Sequence, residues 1–523
     1  MQEFGNFGYA AAALNSNRVI ISANQIDEGA NSAVGRAYLF DVAGPGPVLL
    51  ATMTNPVPTP GSYFGSAVAG LTGNRVLVGA PEADRSGLFI VGEAYLFGTN
   101  GNRLRTFANP FPGEYAYFGE SVAGLSSGLL LIGAGGVDEP PTLGVGRAYL
   151  YDTNGMRLRT FSSPVVTDFA SFGYSLAPLG SNRVFIGAFG ASIGAFDNTG
   201  SAYLYHTNGA LLQTFTNPFP ANGAGFGFAI AALGMDRVVI GAYGASRAGA
   251  TNVGEAYLFR TNGTLLAVLT NPVPVVDAAF GGSITVVDGD KIIVGADGAD
   301  RSGASDTGEA YLFSTNGTLL ATFTNPAGTA FDRFSWVIAA VNSNRFLATA
   351  PQFTPTNTAA RAGGAYVMTL PPLPGSNVSL SLGGNSGSGV LSWQSIEHRL
   401  LQETTNLTPT VVWTNSLLTV KTNGVTNSAT VPWSNGPPGR LLSLALALIA
   451  SRCVYRFGFT PCGPAGRFFR ETPAATCHNR HVNHLTRREQ LVLAGVLAML
   501  LVGLAVKWYR TVRPPAITVE YSP

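Results

Sequence analysis

A Phe-Gly dipeptide recurs along this chain with a fixed period, and that period limits the possible folds more than any other feature. It stands at Phe7, Phe64, Phe118, Phe172, Phe226 and Phe280, and a degenerate copy, Phe334-Ser335, follows. After a first interval of 57 residues every spacing is 54. Within each unit the order is constant: the Phe-Gly segment, a short polar turn, an apolar run ending in Gly-Ala (RVLVGA, RVFIGA, KIIVGA), a polar loop, then G-x-A-Y-L and T-N-G. The unit closes on a stretch such as LLATFTNP. Self-similarity at this period marks an array of supersecondary units, none of which can bury its apolar face alone.

Each unit reads as four short strands. The second and third (VVIGA, AYLF) are nearly continuous apolar runs, which suits strands covered on both faces. Asn-Gly at Asn100, Asn154, Asn208, Asn262 and Asn316 predicts two-residue hairpins between the third and fourth strands. Pro110, Pro164, Pro218, Pro272 and Pro326 end the fourth strand and prevent a helix there. Seven such units, apolar on two faces, have one economical arrangement: an all-β, seven-bladed β-propeller of four-stranded antiparallel blades over residues 1–375. The Gly of each Gly-Ala pair is expected to let neighbouring backbones approach closely.

Charge divides the chain. The net charge of +2 argues against an electrostatic nucleic-acid binder, but it is an average of two unlike parts. Residues 437–523 hold Lys507 and ten arginines against Glu471, Glu489 and Glu520, a balance of +8, which leaves −6 on residues 1–436. All three cysteines, Cys453, Cys462 and Cys477, lie in the basic part, so the first 436 residues have neither a disulfide nor a thiolate metal site.

These Phe-Gly and Gly-Ala segments, with Gly79-Ala80-Pro81 as the full form, resemble the FG-GAP repeats of the integrin α-subunit propeller and of bacterial surface proteins. The resemblance covers about residues 4–375 and implies an extracellular or surface-displayed propeller, integrin-α-like and adhesive. The chain departs from that family where many members carry a calcium loop. Here the connection is a tight turn (LTGNR, VDGDK), and Asp288 and Asp290 are the closest approach to a ligand set. No cofactor is expected, and calcium stays only as a lesser possibility.

Antiparallel order puts the 1–2 and 3–4 connections on one face and the longer, more varied 2–3 and 4–1 loops on the other. Loops on a rigid scaffold are where binding residues concentrate, and the resemblance implies the same face. Asp27, Asp84, Asp138 and Asp300 occupy one slot in four units, five residues after the glycine slot of Gly-Ala. They could form a carboxylate ring for a cation or basic partner, or each could bond its own backbone and shape its loop. Loop shaping is the favoured reading, because Ser192 and Ser246 fill the slot in two other units. Asp306, Arg85 and Arg301 complete the candidate ligand-binding set.

Residues 1–375 contain one histidine, His206, and one lysine, Lys291, and no metal-hydrolase, nucleophile-elbow or P-loop motif. No catalytic residue is assigned. Residues 376–436 read as a small β-sandwich-like module, and 437–523 as a basic tail. Leu491–Val506 is sixteen apolar residues, a possible transmembrane helix over 490–509 if the flanking residues fill the interfaces. Cys477, His478, His481 and His484 match no zinc spacing. The abrupt change at residue 437 also fits a shifted or fused reading frame. MQEFGNFGYA lacks the features of a secretory signal. The seventh unit lacks a clear fourth strand after AYVMTL; residues 376–382 supply it, or an upstream strand and signal are missing, the second being preferred.

The expectation is therefore a non-catalytic, extracellular or surface-displayed propeller that binds a protein or glycan through its 2–3 and 4–1 loop face, with no nucleic acid and a possible membrane anchor. The alternatives are a polysaccharide-acting propeller enzyme and a purely structural envelope protein.

Overall fold

The computed structural model describes residues 5–44, 46–247, 249–355 and 361–371, together with short strands between 388 and 432. Six four-stranded antiparallel sheets follow in chain order, each with its strands in sequential order, and a seventh has three strands among the described residues. Blade four is representative: Phe172–Leu179, Arg183–Ala188, Ser201–His206 and Leu211–Thr216. The chain is a seven-bladed β-propeller.

The blades close on themselves. At each seam the amide of the Phe-Gly phenylalanine donates to a carbonyl just before the third strand of the preceding blade. Phe64 bonds Val34 at 2.9 Å, Phe172 bonds Val145 at 2.8 Å and Phe280 bonds Val253 at 3.0 Å. Phe7 makes the same bond to Ala362 at 3.0 Å, which joins blade seven to blade one. Trp336 Nε1 donates to the Tyr9 carbonyl at 3.2 Å across the same seam.

The core is correspondingly divided into seven apolar clusters, one between each pair of adjacent blades. The second strands are buried along their whole length after the first residue, and most third strands are buried at all but one end residue, as their unbroken apolar runs require. In six blades one outer-strand side chain (Met53, Phe107, Phe161, Phe215, Leu269 or Phe323) is buried in the seam with the next blade. Phe161 meets Tyr205 with ring centroids 5.3 Å apart, and Phe215 meets Phe259 at 5.5 Å. Blade seven has no such residue among those described. A cavity of about 410 Å³ lies at that position, lined by Phe7, Phe40, Val42, Leu347 and Val367 among others.

Two local expectations need correction. The Phe-Gly dipeptide does not continue a regular strand: the ladder slips just after it, between Phe172 and Ser175 and between Phe226 and Ile230. The reason is the backbone of its glycine, which reaches φ +101° at Gly173 and +90° at Gly281, a region closed to most side chains. Nor do the Asn-Gly hairpins use a turn with two positive φ angles. Only the glycine is positive (+81° at Gly101), and Asn100 Oδ1 accepts from the Asn102 amide at 3.1 Å, so the loop is longer and carries a glycine bulge.

The expected close approach at Gly-Ala is present. A methyl on Gly241 would stand 2.0 Å from the carbonyl oxygen of Gly281 in the next blade.

Beyond the propeller, Ser388–Gln394, Val420–Asn423 and Thr426–Pro432 form a three-stranded antiparallel sheet. The chain divides into one unit of Met1–Arg399 with Leu417–Ser434 and a second of Leu400–Ser416 with Asn435–Pro523. Within the second, the described residues are a two-residue ladder, Gln402–Glu403 against Thr414–Asn415. Residues 376–382, the 437–523 tail, the Cys477–His484 cluster and the 490–509 span lie outside the described residues. Among the described residues, no helix is long and apolar enough to cross a membrane.

Candidate functional site

The 2–3 and 4–1 loops share one face, and their geometry repeats from blade to blade. Each of the first six 2–3 loops carries a small antiparallel bridge, such as Arg85 with Leu88 and Glu139 with Thr142. The slot held by aspartate in four units organises this loop from within. Asp27, Asp84, Asp138 and Asp300 each accept, through Oδ1, from the amide six residues on, at 2.7–2.9 Å. Ser192 and Ser246 do the same with Oγ at 3.2 and 3.3 Å. The shared hydrogen bond explains why only oxygen-bearing side chains fill the slot.

Arg85 and Arg301 are also engaged. Arg85 pairs with Glu93, whose residue is 1% exposed, and the Tyr95 hydroxyl donates to the same carboxylate. Arg301, Glu309 and Tyr311 repeat this arrangement in blade six, with the ion pair at 3.3 Å, and Arg247, Glu255 and Tyr257 repeat it in blade five. Burial chiefly, helped by hydrogen bonding to these glutamates, pushes Tyr95, Tyr257 and Tyr311 well above the usual phenol range. Asp306, at φ +49°, donates its amide to Asp300. The turn carboxylates Asp288 and Asp290 both bind Lys291, at 2.9 and 3.0 Å. Among the described residues no group of three or more His, Cys, Asp or Glu side chains could hold a metal ion.

Two further groups went unread in the sequence. The residue after Phe-Gly and the residues after Gly-Ala converge at the axis on this same face. Tyr174 packs on Phe189 and Phe228 at 4.5 and 5.0 Å, Phe228 on Tyr243 at 4.3 Å, and Tyr9 on Trp336 at 5.9 Å. Burial first, and then the Glu120 carboxylate, push the Tyr174 hydroxyl well above the usual phenol range. Glu120 accepts from the Gly135 amide, and desolvation pushes its carboxyl up to about 8 against that bond. Desolvation likewise raises Asp297 to about 6, although Arg333 pairs with it at 3.2 Å. Glu82 is raised by burial. The sequence signal was available: these slots vary freely (Tyr9, Ser66, Glu120, Tyr174, Phe228, Gly282, Trp336) inside an otherwise constant frame.

The second group is exposed. Of 24 large apolar side chains that stand exposed among the described residues, twelve lie on the 2–3 and 4–1 loops and only Met156 and Met235 on the opposite rim. Such an imbalance is what an interaction face produces. One slot in the 4–1 loop shows it most clearly. Its occupants are Gly61, Tyr115, Phe169, Gly223, Asp277 and Phe331, spaced 54 residues apart. All have positive φ, from +56° at Phe169 to +70° at Gly223. Glycine is at ease there and bulky residues are not. Yet Tyr115, Phe169 and Phe331 are 54%, 63% and 57% exposed, so burial does not offset the conformational cost.

No family model matches this chain, and no curated protein matches it. Solved structures with a similar fold include the β-propeller domain of the Trilobed protease from Pyrococcus furiosus, at 12% identity and TM-score 0.41, covering 68% of this chain and 93% of that one. A BBS1N structure in complex with ARL6DN is similar at 12% identity and TM-score 0.40, covering 69% and 90%. A eukaryotic initiation factor follows at 7% identity and TM-score 0.28, covering 60% and 86%. The architecture itself, seven radial blades closed by a repeated seam bond, places the chain in the class of β-propellers.

Proposed function

We propose that this protein is a non-catalytic, FG-GAP-like docking propeller, extracellular or surface-displayed, that binds a protein or glycan partner through its 2–3 and 4–1 loop face. The observation that carries the reading is the slot of Tyr115, Phe169 and Phe331: large aromatic side chains held in left-handed backbone and left in solvent. Backbone strain that side-chain burial does not offset concentrates where a surface has work beyond folding.

The test is selection against a peptide-display library and a glycan array. Ligands taken by the wild type should weaken at least about tenfold, roughly 1.4 kcal/mol, on a Tyr115→Gly/Phe169→Gly/Phe331→Gly variant. A Met156→Ser/Met235→Ser variant should keep them. Ligands that bind all three proteins equally would remove the basis of the proposal.

A second reading, an enzyme acting on polysaccharide at the axis, draws on Glu120 and Asp297, two carboxyl groups raised by burial, the second paired with Arg333, whose guanidinium lies 5.7 Å from the Trp336 ring centroid. Hydrolysis of a chromogenic polysaccharide that disappears in Glu120→Gln, with folding intact, would favour it over docking.

A further inference from the structure

The exposed apolar side chains are not spread evenly around the ring. Nine of the twelve on the loop face belong to blades two to four and the connections that follow them. They come in pairs set by geometry. The 4–1 loop donates a backbone hydrogen bond to the 2–3 loop of the blade before it, Tyr115 to Phe89 at 3.1 Å and Phe169 to Leu143 at 2.7 Å. In the third seam Gly223 donates to Asp197, beside Phe196 and Phe219. Each seam thus presents two neighbouring apolar side chains, repeated at the blade spacing along an arc.

Charge on the same arc is one-sided. The loops 81–92, 109–118, 135–146, 163–171, 189–200 and 217–225 hold seven acidic residues, and their single basic residue, Arg85, is paired with Glu93. Asp84, Glu114, Asp138, Asp168 and Asp197 are exposed. The remaining loops of the face hold seven acids against Arg247, Arg301, Arg333 and Arg361. Nine of the twelve apolar knobs therefore stand on blades two to four, where the loops hold one basic residue against four on the rest of the face.

We infer that this arc is the docking surface for a basic polypeptide segment, one that alternates apolar side chains with lysine or arginine. The apolar side chains meet the paired knobs, and the cations meet carboxylates between them; complementary charge sets the partner and speeds encounter more than it adds affinity. This rests on the loop-face reading and narrows it to one sector and one chemistry.

The probes are two fluorescein-labelled synthetic peptides of about twelve residues, one alternating leucine with lysine and the other leucine with glutamate, followed by anisotropy on the full chain. The lysine peptide should bind at least about tenfold more tightly than the glutamate peptide, and the margin should shrink in about 0.5 M salt. Tyr115→Gly/Phe169→Gly should lose that binding, and Phe331→Gly, in the other sector, should keep it. Equal binding of the two peptides, or no binding of either, overturns the inference. Loss caused by Phe331→Gly rather than by the double variant overturns the sector while leaving the loop-face reading in place, and glycan ligands from the array together with a silent lysine peptide do the same.

Discussion

Gly241 and the carbonyl of Gly281 stand in adjacent blades with no room for a methyl group between them: a Cβ on Gly241 would come within 2.0 Å of the Gly281 oxygen. Gly241 lies in ordinary strand backbone, so the approach alone excludes a side chain. Gly241→Ala should therefore destabilise the propeller by about 2–4 kcal/mol through overpacking. Chemical denaturation measures it, with Gly113→Ala, which meets nothing within 4 Å, as the control expected within about 0.5 kcal/mol.

Phe169→Gly reverses the usual expectation for deleting an aromatic ring. The side chain is 63% exposed at φ +56°, so little burial is lost and left-handed strain is relieved. Stability should hold or rise by up to about 1 kcal/mol, read as a shift in melting temperature, while partner binding falls. A large loss of stability would show that the ring is part of the core.

Glu120 gives the axis a pH dependence. Burial raises its carboxyl in the fold to about 8 from the ordinary 4.5, so the folded state favours the protonated form. Folding stability attached to this group is greatest below about pH 4.5, declines as pH rises through the interval to 8, and is flat above it. Glu120→Gln should melt at a pH-independent offset from the unionised wild type, so the difference between the two proteins opens from acid to alkaline pH. A constant difference across that range would contradict the buried-axis assignment.

Asp138→Ser and Asp138→Ala separate loop shaping from ligand binding. Serine keeps an acceptor, as Ser192 and Ser246 do in their loops, and should cost less than about 0.5 kcal/mol; alanine leaves the Gly144 amide without its partner and should cost about 1 kcal/mol. Limited proteolysis in the 135–146 loop reads the same difference.

Much of the architecture was legible because repetition turns weak signals into strong ones. One Phe-Gly means little; six, with Phe334-Ser335 as a seventh and degenerate copy, specify the blade count, and Gly241 shows that the Gly-Ala glycine was read for the right reason. The hairpins were misread because Asn-Gly fits more than one turn, and only the conformation of Asn100 distinguishes them. The site was harder. Asp84 and Asp138 were visible as a recurring slot, and their bonds to the Ile90 and Gly144 amides of their own loops agree with the favoured loop-shaping reading. The aromatic slot was missed although Gly61, Tyr115, Phe169, Gly223 and Phe331 sit at one period, because residue type does not reveal φ. A glycine alternating with an aromatic in a repeat is the signal to look for.

Among the described residues, six joints of this ring are plugged by an outer-strand side chain, and the joint between Val367 and Phe40 is lined by a cavity without one. A closed hoop parts first at its loosest fastening, so thermal breathing of the molecule has a built-in direction. Amide exchange should quicken beside Val42 and Leu347 before it reaches the opposite side near Ile186, and pulling on the chain should unwrap it from that latch, wedge by wedge, instead of collapsing all seven together.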